Sequence, residues 1–193
     1  MKKKKSIKRE IIEWGIFLGI LAFLFGTGLH TPVFGFFQGL ILKTGIMQPS
    51  IDEEEVLTAS YQFSLVDEKG QKMHFSELED EVVFINFWAT WCPPCIAEMP
   101  DIQSLYEEME DEGIKFVMIS LDDDFNKAKA FVKKKDFTFP IYQLASPLPQ
   151  VYESSAIPTT YVLSPEGKIV VSKSGMAKYN TNKFKDYLRQ LKL

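Results

Sequence analysis

The chain has 193 residues, 46% apolar and 13% aromatic with 16 phenylalanines, which excludes an intrinsically disordered protein and leaves room for one ordinary domain plus additional chain. Its net charge of −4 is unevenly spread: residues 1–48 hold seven basic residues against Glu10 and Glu13, leaving 15 basic and 24 acidic residues in the remainder. So acidic a body repels nucleic acid, and no DNA or RNA partner is expected.

Residues 1–10, MKKKKSIKRE, form a basic tail, and with His30 neutral no charged residue follows between Glu13 and Lys43. The run WGIFLGILAFLFGTGL, extended by Ile11 and Ile12, approaches the ~20 apolar residues that a bilayer requires, which predicts a transmembrane anchor over 11–30 with the lipid bilayer as its partner. The basic residues ahead of it predict an amino terminus in the cytoplasm and the bulk of the chain exported. A cleaved signal peptide shares these features, but FGTGLHTPVFGFF lacks a persuasive small-x-small cleavage site and continues apolar, which favours an uncleaved anchor.

Residues 31–57 read as a juxtamembrane segment and linker. Val33, Phe36, Phe37, Leu40 and Ile41 recur at helical spacing, which predicts a helix lying on the membrane surface, and QPSIDEEEVLTAS follows as an acidic tether. A folded domain is expected over 58–193.

Within that domain YQFSLVDEKGQKMHF predicts a strand hairpin turned at Lys69-Gly70, and EVVFINFW a buried strand. CIAEMPDIQSLYEEMEDEG reads as a helix ending at Gly113, IKFVMISL as a second buried strand and FNKAKAFVKKKD as another helix. A stretch with Pro140, Pro147 and Pro149 reads as irregular. TTYVLSPEGKIVVSKS then makes a second hairpin through Ser164–Gly167, and NKFKDYLRQLKL a closing helix with Phe184, Tyr187, Leu188 and Leu191 on one face. Strands alternating with helices in this order predict an α/β protein.

Cys92 and Cys95 are the chain's two cysteines, at C-x-x-C spacing. Such a pair serves as a redox dithiol, as half a zinc site or as a structural disulfide. Zinc needs two more ligands, and with His30 beside the apolar run only His74 remains, so no metal is expected. A disulfide closing so short a loop removes little unfolded-chain entropy, which weakens the structural alternative. Position supports the redox reading: Cys92 follows a buried strand and opens a helix, whose free N–H groups and dipole favour a thiolate. Cys92 is then the exposed nucleophile and Cys95, one turn in, the buried resolver. Pro93 and Pro94 lack N–H groups and withhold two donors from the Cys92 sulfur, which points to a reductant or isomerase-like donor.

The segment FINFWATWCPPCIAEMP resembles the active-site segment of the thioredoxin superfamily, and within it the membrane-anchored TlpA/ResA-like thiol-disulfide oxidoreductases. Pro100 is similar to the family's helix-kinking proline, and AIPTTYVL to the segment whose cis-proline faces the dithiol, here Ile157-Pro158. The resemblance implies a thioredoxin fold over 58–193, a central mixed sheet flanked by helices with an amino-terminal β-hairpin extension. It implies a bacterial inner-membrane protein, single-pass, with this domain on the periplasmic or extracytoplasmic side. Trp91, Ile157 and Pro158 are expected to bind substrate. Glu98 is expected to handle the proton of Cys95, and Asn86, where thioredoxin has a buried acid, to tune it. Trp88, Thr159 and Thr160 are assigned to packing and to the sheet. No cofactor beyond the redox-active Cys92–Cys95 disulfide is expected. The implied partners are disulfide-containing exported proteins, apocytochrome c among them, and a membrane electron donor that re-reduces the dithiol.

Two alternatives carry discriminating features. A peroxiredoxin-like peroxidase has Pro and Thr seven and three residues before its nucleophile, where this chain has Ile85 and Ala89. A non-enzymatic metallochaperone of this fold uses C-x-x-x-C and a distal His, one residue longer than the spacing here.

Overall fold

The structure, a computed structural model, describes residues 7–27 and 57–192, with the side chains of residues 7–11 and 21 excepted. The surface helix expected after Pro32 and the acidic tether lie outside the described residues.

The first helix, α1, spans Ile7–Gly26. It corrects the transmembrane expectation for residues 11–30. Starting at Ile7, the helix takes Lys8, Arg9, Glu10 and Glu13 into its own length, and its uncharged part, residues 14–26, rises only about 20 Å against a hydrocarbon core of about 30 Å. Among the described residues no helix is long and apolar enough to cross a membrane. Ile12, Trp14, Ile16, Phe17, Leu18, Ile20, Phe23 and Phe25 stand exposed along it.

The domain is built on eight strands: β1 (Leu57–Thr58), β2 (Ser64–Asp67), β3 (Lys72–His74), β4 (Val83–Trp88), β5 (Lys115–Ser120), β6 (Ile141–Leu144), β7 (Thr159–Leu163) and β8 (Lys168–Ser174). Their order in the single mixed sheet is β1-β8-β7-β4-β5-β6-β2-β3. Strands β4, β5 and β6 are mutually parallel, β7 runs antiparallel beside β4, and the β2–β3 hairpin joins antiparallel through β6 as the amino-terminal extension. Helices α2 (Pro93–Met109), α3 (Phe125–Lys134) and α4 (Asn182–Gln190) complete it.

All six residues of β4 are buried, as expected of a strand with neighbours on both edges and cover on both faces. Its period of two sorts them: Phe84 and Trp88 join the core that contains Ile102, Leu105 and Met109 of α2, Ala128 and Val132 of α3, and Phe184 and Leu188 of α4. Val83, Ile85 and Phe87 face a second core, whose cover is largely aromatic, with Phe63 and Phe75 stacked at 4.2 Å and Tyr152 edge-on to both. Asn86 shares the first face and so is aimed at α2.

The turns form where expected. Asp67 Oδ1 accepts from the N–H groups of Lys69 and Gln71 at the β2–β3 corner. Gly113, at φ 72°, ends the 3-10 extension of α2 in the left-handed conformation that glycine adopts without steric cost. The irregular stretch around Pro140 is a correction: it contains β6, parallel to β5 and antiparallel to β2. Pro140 sits just before the strand, where a missing N–H costs no ladder bond, and pairing with two distant strands decides the conformation.

Candidate active site

Strand β4 ends at Trp88, and the chain turns through Ala89–Trp91 into α2, with Cys92 as its N-cap in extended geometry (φ −98°, ψ 102°). Pro93 and Pro94 occupy the first two helical positions, where their fixed φ suits the helix and their missing N–H groups break no intrahelical bond. The first available donor is therefore the Cys95 N–H, and it bonds Cys92 Sγ at 3.2 Å. Cys92 and Cys95 form a disulfide, with Cα atoms 5.3 Å apart.

Cys92 is not the exposed nucleophile expected from sequence: only 3% of its surface is accessible, and Cys95 is fully buried. Cover comes from the segment before β7, since the Ile157 carbonyl oxygen lies 3.7 Å from Cys92 Sγ and the Ile157-Pro158 bond is cis. Ile157 is half-buried and Pro158 buried. What the site presents to solvent is Trp91, 60% exposed. Thr159 holds the covering segment, its hydroxyl donating to the Ala156 carbonyl at 2.7 Å and lying 2.8 Å from Ser154 Oγ.

Glu98 lies one turn beyond Cys95 and is fully buried. Its Oε1 accepts from Asn86 Nδ2 at 2.8 Å and its Oε2 from the Ala177 N–H at 3.1 Å. Burial pushes its pKa up to about 8, opposed by the Asn86 and Ala177 bonds and assisted slightly by Asp101. A carboxyl titrating at about 8 lies close to the ordinary range of a free thiol, about 8.5. Asn86 also donates to Thr160 Oγ1 at 2.9 Å, while its Oδ1 has no partner. A neutral Glu98 turns one oxygen into a donor, and rotating the amide by half a turn would offer Asn86 Oδ1 to receive it.

Thr160 thus belongs to the site and not only to the sheet. Its position follows from register, because it lies directly opposite Asn86 in the β4–β7 pair. Tyr179 is buried close by; its hydroxyl stands next to Thr160 without completing a hydrogen bond, and burial together with Glu98 keeps it protonated. Trp88 is core, tilted against Phe131 at 6.0 Å, as its packing assignment requires. His74 lies on the outer edge strand, 3.1 Å from Ser64 Oγ and with three strands between it and β4. Among the described residues no cluster of three His, Cys, Asp or Glu could hold a metal.

Sequence reasoning missed Thr160, Tyr179 and the cluster at the end of β5, where Asp122 is buried against Thr90. For Asp122 a signal existed: an acid just past the carboxyl end of a strand, beside the strand that carries the motif, stands where parallel sheets collect functional residues.

A model of the AhpC/TSA family matches residues 57–172. The thiol-disulfide oxidoreductase ResA of Oceanobacillus iheyensis is 40% identical over 98 residues, which are 50% of this chain and 51% of that one, so the match spans about half of that relative's length. ResA of Halalkalibacterium halodurans is 31% identical over 129 residues, 66% of this chain and 73% of the relative. Among solved structures, a thiol:disulfide interchange protein of the thioredoxin family from Chlorobium tepidum superposes with a TM-score of 0.57 at 23% identity, covering 73% of this chain and 97% of that one. That likeness shows the thioredoxin fold.

Proposed function

Because the chain belongs to the AhpC/TSA family, and within it to the ResA-type thiol-disulfide oxidoreductases, we propose that it reduces disulfides in exported proteins, cycling between a Cys92–Cys95 dithiol and the disulfide seen here. The observation that carries this reading is the coincidence of three features: a cysteine pair at a helix start, a single N–H on the Cys92 sulfur, and a buried carboxyl titrating near thiols three residues beyond Cys95.

The Cys92 thiolate attacks one sulfur of the target disulfide, whose S–S bond breaks, giving a mixed disulfide and one target thiolate. Glu98 takes the Cys95 proton, and the Cys95 thiolate attacks Cys92 Sγ. The mixed disulfide breaks, Cys92–Cys95 forms, and the second target sulfur leaves, so two electrons have passed to the substrate. Exposed Trp91 and the backbone of half-buried Ile157, which lies against Cys92 Sγ, hold the target segment. A dithiol donor at the membrane then restores the reduced pair, and apocytochrome c before haem attachment is a client.

The poise as a reductant rests on the two prolines, because a strong oxidant needs a heavily stabilised thiolate and only one N–H serves Cys92. Equilibration with glutathione tests it: a potential as oxidising as that of a dedicated disulfide oxidase refutes the reductant reading. The Cys95→Ser variant should accumulate mixed disulfides from which clients are identified. A peroxidase reading gains no support here, since buried Ile85 and Ala89 stand where a peroxiredoxin-like peroxidase has Pro and Thr.

The basic tail and the exposed apolar side chains of α1 support attachment to the cytoplasmic membrane, and because target disulfides persist outside the reducing cytoplasm the domain is assigned to the outer side. Carbonate extraction and protease treatment of intact spheroplasts test this; a domain shielded from external protease would overturn it.

A further inference from the structure

The loop that carries Cys92 is tied to the end of β5 by a buried carboxylate. Asp122 has almost no accessible surface, and its oxygens receive three donors: the Thr90 hydroxyl on Oδ1 at 2.6 Å, and the Thr90 N–H and Ser120 hydroxyl on Oδ2 at 3.0 and 2.9 Å. The Asp122 N–H in turn donates to Ser120 Oγ at 3.1 Å, so the carboxylate is oriented by its own strand before it meets the loop. A backbone bond runs alongside, from the Leu121 N–H to the Trp88 carbonyl at 2.8 Å. Among the described residues no cation pairs with this acid; hydroxyl and amide donors alone hold it.

We propose that Asp122, acting through Thr90, is a positioning residue for the dithiol. Thr90 is two residues before Cys92, and fixing both its N–H and its hydroxyl turns its side chain inward. Its successor Trp91 then points to solvent, and the chain enters α2 with the Cys92 N–H on the Ala89 carbonyl at 3.2 Å and Cys92 Sγ over the Cys95 N–H. With prolines at the first two helical positions, that one N–H is all that the helix start offers the sulfur from within the motif. A small drift of the loop therefore removes the thiolate's local donor, with no neighbouring N–H to take over. The inference deepens the thiol-disulfide reading and rests on it.

The test uses the reduced full-length protein and follows the rate of Cys92 alkylation by iodoacetamide as a function of pH, with thermal unfolding recorded beside it. Thr90→Val deletes the hydroxyl while leaving the Asp122 charge in place. Its alkylation profile should move to higher pH and its rate at pH 7 should fall about fivefold, on the scale of one ordinary hydrogen bond lost at the thiolate. Thr90→Ser should restore both to within about twofold, because the donor returns. In an Asp122→Asn background, where the acceptor remains but the charge is gone, Thr90→Val should have a smaller effect than in the unmodified protein, since the two changes act on one linkage. A Thr90→Val profile superimposed on the unmodified protein's, whatever happens to its melting temperature, overturns the proposal, and so does failure of Thr90→Ser to rescue. The Thr90 pair decides even if Asp122→Asn does not fold. An unmodified protein that exchanges no disulfide with oxidised glutathione would instead sink the functional reading, while exchange with unmoved variants sinks only the clamp.

Discussion

Replacing Glu98 by Gln isolates the energetic effect of a carboxyl held in the core. Folded, the group titrates at about 8; released from the fold it returns to 4.5. Between those values the folded chain keeps a proton that the unfolded chain has lost, so the unfolded state gains as pH rises. Stability contributed at this site is thus fully present below about pH 4.5, declines through the window at up to ~1.4 kcal/mol per pH unit, and levels off above pH 8, a total of roughly 5 kcal/mol. Glutamine resembles the neutral acid in shape. Its carbonyl can accept from Ala177, and its amide can donate to the unpartnered Asn86 Oδ1 after that amide rotates. Urea unfolding of the oxidised protein at pH 5, 6, 7 and 8 measures the effect. The two proteins should be similar at pH 5, and Glu98→Gln should become the more stable by several kcal/mol at pH 8. Parallel stability curves would refute the raised carboxyl and with it the proton exchange assigned to Glu98.

Three other substitutions probe the same site. Pro94→Ala returns an N–H at the second helical position, so the Cys92 thiol pKa should fall by about one unit and the potential become more oxidising by roughly 30 mV, read from alkylation profiles and glutathione equilibria. Asn86→Ala removes the donor on Glu98 Oε1, which should raise that carboxyl further and move the pH profile of mixed-disulfide resolution upward; a downward move contradicts the assignment. Trp91→Ala, at a largely exposed position, should change stability by no more than about 0.5 kcal/mol. It should also slow reduction of a protein disulfide more than reduction of a small aromatic disulfide, and equal slowing would remove Trp91 from substrate binding.

Much of the domain was legible because its determinants are local. The buried run before Cys92 predicts β4, the residues after it predict a helix, and Pro93 and Pro94 fit only at that helix's first turn. Asp67 with Gly70, and Ser164 with Gly167, mark their turns by backbone chemistry that needs no distant partner. The membrane span was misjudged for the opposite reason: an apolar run shows its length but not where its helix begins, and α1 begins early enough to include four charges. Strand β6 was hidden because Ile141–Leu144 becomes a strand only between β5 and β2, which lie far away in sequence.

The sequence by itself determined the chemistry available: two thiols at one helix turn's spacing, two prolines that withhold donors, and a carboxyl three residues on. Only the tertiary structure decided how those groups behave. The β4–β7 register sets Thr160 against Asn86, closure of the core over Glu98 raises its pKa to about 8, and Ile157 covers a sulfur expected to be open. Backbone geometry and missing N–H groups belong to single residues and can be read along the chain. Burial, register and the electrostatics they impose are set by segments that are distant in sequence, and exist only once those segments have packed.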